Sequence, residues 1–502
     1  MAFGRPAGDA RVYEYGVSRS AIHKGIMAGR DEAIAEMRRR VALWNRLVEI
    51  EREYRENQEA ILGLALVVDG KKQRRTLTEA QREQLRALDD ATRETVNEAC
   101  RNSGCYWCNY NDVKVGWMVA RKGRDPLRFH SWRNEDGKIT TYLVRGLPVE
   151  QAYGEHGFLQ IEHPNPRYPR DAIVRMRIGS TEDRQPVWLS LPVVMHRPLP
   201  DGCRIKSVSA LRERLANQER WKVVFVLERD TGTWATMPGI RTGTISLDIG
   251  WRKRPHGLRV ATWRNDDGET GELALPQRYL DQRATVERLE GHRQRLFNET
   301  LAALRAWLDT IDRPDWLREA TTHIHQWRRP GRLVRLLRDW QRFRGDEAIR
   351  AMLDAYAKRD LHLWQYEANL RDQCLRWRRE IYRCWVAEIV GRYERVVIEE
   401  FDLSRVAQVK DDGKGNELVE KARYYRQIAG VYQLRLALSS ACKREGVPVE
   451  KLPAAYTTME CSVCGNLEEW DHRQLRHECS GCGVEWDQDV NAAENLLVGA
   501  AR

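Results

Sequence analysis

Residues 461–496 read CSVCGNLEEWDHRQLRHECSGCGVEWDQDVNAAENL. Two Cys-x2-Cys pairs, Cys461 with Cys464 and Cys479 with Cys482, stand fourteen residues apart. Four thiolates at about 2.3 Å from one ion complete a tetrahedral shell with no open position, so the pattern predicts one structural Zn²⁺. His472 and His477 lie between the pairs and are read as surface residues, because the cysteines already fill the shell. Just past the second pair stands an acid, Asp489, at the head of a helical stretch. A closed knuckle set against a lone carboxylate suggests that the knuckle interrupts a larger fold to which the acid belongs.

Two further acids lie upstream. In TISLDIG (244–250), Ser246 and Asp248 share one strand face, and Ile245, Leu247 and Ile249 share the other. In RVVIEEF (395–401), Val396 and Ile398 take one face and Val397 and Glu399 the other. A carboxylate at the end of an apolar strand is costly unless it is paired or binds a cation. Hard carboxylate oxygens suit Mg²⁺, and three of them converging could hold two Mg²⁺ about 4 Å apart for in-line phosphodiester hydrolysis. Taken singly, each acid is ordinarily a helix cap or a surface charge. Glu400 and Asp487 are neighbouring acids that compete with Glu399 and Asp489 for these roles.

Composition narrows the partner. The 502 residues carry 84 Lys and Arg against 73 Asp and Glu, with a sequence pI near 9.1. Arg runs such as Arg38-Arg39-Arg40 and Arg252-Lys253-Arg254 suit phosphate oxygens. No apolar run reaches the length of a membrane span and the N-terminus shows no signal-peptide pattern, so the expectation is a cytoplasmic protein with no membrane partner. Eleven cysteines in such a chain argue for thiols and metal ligands over disulfides.

The periodicity divides the chain. A short strand at 10–19 precedes a helical stretch in which Ile34, Met37, Val41, Trp44 and Val48 make one face. A second helix follows, with Thr78 as its N-cap. Alternating strands then suggest a small barrel or sandwich across 115–242. From 244, three strands, a long Arg- and Trp-rich helical region at 277–394, the strand RVVIEEF, a helix at 424–445 and the strand VPVEKLP lead to the knuckle. The Gly-rich segment KDDGKGNE reads as a mobile loop.

Strand-Asp, two strands, helix, strand-Glu is the order of an RNase H-like sheet. AAYTTMECSVCG and CSGCGVEWDQDVNAAENL closely resemble the C-terminus of the transposon-encoded RNA-guided nucleases called TnpB, and of their descendants, the miniature type V CRISPR effectors. SLDIG and VVIEEFDLS resemble the other two RuvC motifs of that family. The detailed match covers about 100 C-terminal residues and the short stretches around 248 and 399; the rest agrees in architecture.

The resemblance implies a multidomain α+β protein. It would comprise a wedge barrel (1–19 and 115–242) interrupted by a helical recognition lobe (20–114), then a RuvC nuclease (243–460, with the helical insertion 277–394). A zinc ribbon that binds target nucleic acid (461–483) and the last RuvC motif and helix (484–502) would follow. It implies Asp248, Glu399 and Asp489 as catalytic Mg²⁺ ligands, and Cys461, Cys464, Cys479 and Cys482 as the zinc site. It further implies one chain per guide RNA (a crRNA, alone or with a tracrRNA), double-stranded DNA as target, a short flanking motif read by the protein, and DNA cleavage. The larger N-terminal half favours a CRISPR effector of subtype V-N or V-M in a prokaryotic cytoplasm. A TnpB-like transposon nuclease, a binding-only RNA-guided silencer and an RNA-independent RNase H-like recombinase are the alternatives.

Two other stretches bear on nucleic acid. Tyr106, Trp107 and Tyr110, beside Asn109 and Asn111, could stack on bases or touch groove edges. Arg332, Arg335 and Arg342 recur with Trp at helical spacing and could reach phosphates. Cys100, Cys105 and Cys108 raise a second metal site without a nearby fourth ligand.

Overall fold

A computed structural model describes residues 10–18, 27–63, 67–68, 71–72, 77–123, 126–131, 137–164, 167–168, 170–229, 241–343, 346–400, 420–453, 457–469 and 474–501. The chain divides into two compact units, Met1–Trp234 and Ala235–Arg502. KDDGKGNE, at 410–417, lies outside the described residues.

In the first unit, β1 (Arg11–Gly16) precedes three helices, α1 (Arg30–Leu62), α2 (Glu79–Asn102) and α3 (Trp107–Ala120). Thr78 caps α2 in a reciprocal capping box with Gln81. After the helices come β2 (Gly137–Pro148), β3 (Leu159–Glu162), β4 (Asp171–Ser180), β5 (Pro186–Val194), β6 (Cys203–Leu215) and β7 (Gln218–Arg229). They form a four-stranded sheet, β1-β7-β6-β2, and a three-stranded sheet, β3-β4-β5. Both sheets contribute to one core that includes Tyr15, Val174, Leu191 and Phe225. The helices have their own core around Leu47, Val96 and Trp117.

One sequence reading is corrected here. A boundary at 114/115 falls inside α3, whose buried positions Cys108, Asn109, Val113 and Trp117 recur at helical spacing.

The second unit is built on one sheet. Its strands are β8 (Thr244–Asp248), β9 (Arg252–Arg254), β10 (Gly257–Asn265), β11 (Thr270–Pro276), then β12 (Arg395–Glu400) and β13 (Val449–Pro453). β8 and β9 pair with successive parts of β10, which pairs with β11 on its other edge. β12 joins β8 in parallel, and β13 joins β12 in parallel. The order β11-β10-β8-β12-β13 therefore has the antiparallel β10 beside a parallel centre. The apolar face of this sheet, with Ile245, Leu247, Leu258, Val396 and Ile398, shares a core with residues from α4 (Gln277–Leu308), α7 (Glu347–Arg392), α8 (Glu420–Ala429) and α9 (Val431–Glu445). The expected single helix at 424–445 is two, broken at Gly430 with φ +55°, where a glycine is needed. Between α4 and α7 lie α5 (Asp315–Thr321) and α6 (Gly331–Phe343), which pack around Trp327, Trp340 and Tyr356. The hairpin β14 (Arg476–Glu478) and β15 (Glu485–Asp487) leads into the last helix, α10 (Gln488–Ala501), which packs on β8, β10 and β12. Among the described residues no helix is long and apolar enough to cross a membrane.

Candidate acid cleft and metal centre

The parallel register pairs Leu247 with Ile398, which brings Asp248 and Glu399 together at the ends of adjacent strands. Strand alternation holds: Ser246, two residues before Asp248, donates its hydroxyl to the Ala493 carbonyl of α10 at 2.7 Å. The acid face is thus the face that α10 covers, and α10 delivers Asp489 from its first turn. All three acids line one cleft of about 370 Å³. Glu400 is exposed while Glu399 is buried, so the alternation separates the neighbouring acids.

The two strand acids resist ionisation. Burial, and then the nearby charges of Glu399 and Asp489, push the Asp248 carboxyl well above its usual range. Burial pushes Glu399 up to about 7, opposed by the guanidinium of Arg435 at 3.2 Å.

Asp489 has other company. Its Oδ2 accepts from Arg259 Nη2, and Arg252 Nε lies 3.3 Å away. Arg259 is 4% exposed and also donates to Asp487 at 3.2 Å. A bulge in β10 between Arg259 and Ala261 lies at this point, where bulges re-aim side chains. Asp487 is the N-cap of α10: its Oδ1 accepts from the backbone N–H of Asp489 at 3.0 Å and of Val490 at 3.3 Å. Sequence reasoning missed Arg259 and Arg435, and assigned Arg252 to phosphate where the structure turns it onto Asp489 and Gln488. The signal was an Arg between Leu258 and Val260 in an otherwise apolar strand, which must find a carboxylate if buried.

The donor set suits a hard cation at Asp248 and Glu399. The Thr262 hydroxyl, opposite Asp248 on β10, is buried with no partner among the described residues, which suits an ion's hydration shell. A second ion at Asp489 fits only if the guanidiniums leave. Among the described residues, the cysteine quartet is the one group of three or more metal-ligating side chains converging within 4.8 Å.

That quartet fits zinc. Cys461 and Cys482 sulfurs lie 3.8 Å apart, and Cys464 and Cys479 sulfurs 3.6 Å. A tetrahedron with bonds of about 2.3 Å has edges of about 3.8 Å. Both pairs sit in the same turn: Gly465 donates to the Cys461 carbonyl and Gly483 to that of Cys479, each at 2.8 Å. These glycines have φ of +74° and +71°, where a side chain would be strained. The knuckle is tied to the acid helix. The Asn491 amide donates to the Glu460 carbonyl at 2.7 Å and accepts from Ser462 N–H at 2.9 Å, while Asn495 donates to Glu460 and Thr457. His477 packs its ring on Trp486, 4.9 Å between centroids, and His472 lies outside the described residues.

The remaining candidates separate. Asn109 is fully buried, donating to Glu36 and accepting from Arg40 and the Thr140 N–H, so it is an interior strut out of reach of a base. Tyr106, Trp107, Tyr110 and Asn111 are half-buried. Cys100, Cys105 and Cys108 form no metal-ligating group among the described residues, and burial pushes the Cys105 and Cys108 thiols up to about 11, away from the ligand form. Arg332 and Arg335 are exposed on α6. The Arg342 side chain lies outside the described residues.

A β11-β10-β8-β12-β13 sheet with acids at the ends of the adjacent strands β8 and β12, completed by an acid helix behind a four-cysteine knuckle, is that of a miniature type V CRISPR effector of the TnpB lineage. Residues 432–496 match the family model Cas12f1-like, TNB domain. The chain is 36% identical to the CRISPR-associated DNA-binding protein Cas12m of Allomeiothermus silvanus, over 99% of this chain and 98% of that one. It is also 36% identical to the Cas12m of Thermanaerosceptrum fracticalcis, over 85% of this chain and 74% of that one. It belongs to the Cas12m family. The cryo-EM structure of a Cas12f1-sgRNA-target DNA complex aligns over 92% of this chain and 82% of that one, at 13% identity and a TM-score of 0.43.

Proposed function

We propose that this chain is an RNA-guided DNA-binding effector whose output is occupancy of its target. A guide RNA, a crRNA alone or with a tracrRNA, supplies sequence by pairing. One chain holds one guide and reads a short motif in the flanking duplex. The Cas12m relatives are named as DNA-binding proteins, and the basic composition of this chain supports the same partner.

The observation that carries the non-cutting part is the pair of guanidiniums on Asp489. They neutralise the acid that a two-Mg²⁺ site requires, and Arg259 does so while 4% exposed. Breaking a buried pair costs about 3–5 kcal/mol, which a second cation would have to recover. One Zn²⁺ at Cys461, Cys464, Cys479 and Cys482 holds the knuckle, and through Asn491 and Asn495 the knuckle holds α10.

A second reading is Mg²⁺-dependent, RuvC-type cleavage of DNA by Asp248, Glu399 and Asp489. The crowding of Asp248 and Glu399 favours it, since a divalent ion relieves two like charges. An ion bound there would supply Lewis-acid activation of a phosphodiester. RNA guidance is tested by gel shift of a labelled target duplex with the purified guide complex, before and after ribonuclease digestion. Binding should disappear on digestion; sequence-specific binding that survives it would point to an RNA-independent recombinase.

A further inference from the structure

The insertion between β11 and β12 carries a surface that the acid cleft does not explain. From Ala320 to Arg338 the chain has five arginines and no acid. Arg332, Arg335 and Arg338 fall three residues apart on the exposed side of α6, and Arg329 is exposed just before it. Three residues of helix advance about 4.5 Å, so the charges form a stripe along the axis. Leu333, Leu336, Leu337 and Trp340 take the opposite side into the core of the insertion.

Elsewhere in the same insertion some surface arginines have carboxylate partners, Arg313 with Asp309, Arg318 with Asp312 and Arg376 with Asp372, while Arg278, Arg288, Arg295, Arg359 and Arg379 stand singly without one among the described residues; what sets the α6 row apart is that four such arginines fall within ten residues. Among the described residues, none of Arg329, Arg332, Arg335 and Arg338 has a carboxylate partner. Four neighbouring unpaired guanidiniums repel one another and are kept for a polyanion. Arg332 and Arg335 also line a cleft of about 300 Å³ with Trp316, Trp327, Glu319 and Asp339. Trp316 is half-buried, its ring edge-on to Trp340 with centroids 5.4 Å apart. An indole beside a guanidinium row is a stacking platform for an unpaired base. Carboxylates in the same cleft disfavour a bare phosphate chain but accept from a hydroxyl. The ribose 2′-OH is the donor that distinguishes RNA from DNA.

We infer that the α6 arginine stripe and the Trp316 cleft form a docking surface for a single-stranded segment of RNA. The inference rests on the proposed RNA-guided function and names a surface for it. The test uses the full chain with three probes of one mixed sequence: a single-stranded RNA 20-mer, its DNA counterpart and the duplex DNA. The variants are the quadruple Arg329→Gln, Arg332→Gln, Arg335→Gln, Arg338→Gln, the single Trp316→Ala, and Arg376→Gln as a paired-arginine control.

The quadruple variant should lose RNA affinity, and the slope of log affinity against log salt should flatten by about 0.7 per lost contact, roughly 3 in all. Trp316→Ala should weaken RNA binding without changing that slope, and Arg376→Gln should match wild type. Equal RNA affinity in the quadruple variant and wild type overturns the surface while leaving RNA guidance intact. A loss confined to DNA, single-stranded or duplex, overturns the choice of RNA. A wild-type chain that binds no RNA overturns this inference and the RNA-guided function together.

Discussion

Replacing Arg259 by Gln tests whether guanidiniums stand in for cations in the acid cleft. Arg259 reaches Asp489, lies 3.2 Å from Asp487 and 3.5 Å from Glu272, and is 4% exposed. Removing one partner of a buried ion pair costs about 3–5 kcal/mol, because the other charge is stranded. Here the loss belongs at the low end. Asp489 keeps Arg252 at 3.3 Å, and Asp487 keeps its two N-cap hydrogen bonds. About 3 kcal/mol corresponds to a fall in Tm of roughly 6–12 °C, at about 2–4 °C per kcal/mol for a domain of this order of size. The freed carboxylates should then take up Mg²⁺, so the ion should recover part of that Tm and stabilise the variant more than wild type. Differential scanning fluorimetry in EDTA and in Mg²⁺ measures both. An unchanged Tm in EDTA, or a Mg²⁺ response no larger than that of wild type, would mean that Arg259 does not stand in for a cation.

Cys479→Ser should strip the knuckle: elemental analysis should find one zinc per wild-type chain and none in the variant, since a four-thiolate site folds with its ion. Two zincs in wild type would reinstate the Cys100, Cys105 and Cys108 site. Glu399→Gln should abolish the stabilisation that Mg²⁺ gives in thermal melts, whereas Glu400→Gln, exposed at the strand end, should retain it; the reverse result would mean that the β12 register is off by one residue. In the metal-free protein Glu399 is raised from 4.5 to about 7, so its contribution to stability is complete below about pH 4.5 and is lost as the pH rises through about 7. Mg²⁺ binds the ionised acids, so its gain in Tm should be larger at about pH 8 than at about pH 6; a gain that shrinks with rising pH would contradict this assignment.

What the sequence made legible is what short-range chemistry dictates. Two Cys-x2-Cys pairs specify a four-sulfur site wherever they fall, and strand alternation placed Asp248 with Ser246, which the bond from Ser246 to Ala493 bears out. The capping box at Thr78 is equally local. Partners distant in the chain were hidden. Arg259 meets Asp487 and Asp489 only because α10 packs on β10, more than 200 residues later. Asp487 looked like a rival acid because its role as a helix cap depends on where α10 begins. Helix α3 escaped because its inward positions are Cys108, Asn109, Val113 and Trp117, a mix of sulfur, amide and aromatic groups with a weak apolar rhythm. Asn109 was read as a base contact for the same reason, since nothing local says that Glu36 and Arg40 fold over it.

If guanidiniums occupy the acid cleft, the guided protein holds its target without cutting it. The direct measurement follows one supercoiled plasmid carrying the target, with the guide complex and saturating Mg²⁺. Filter capture measures occupancy and agarose topology measures strand breaks in the same samples over time. Capture should be near-complete and guide-dependent, with the plasmid still supercoiled. Guide-dependent conversion to nicked or linear plasmid, keeping pace with capture, would contradict it and establish the acid cleft as a nuclease.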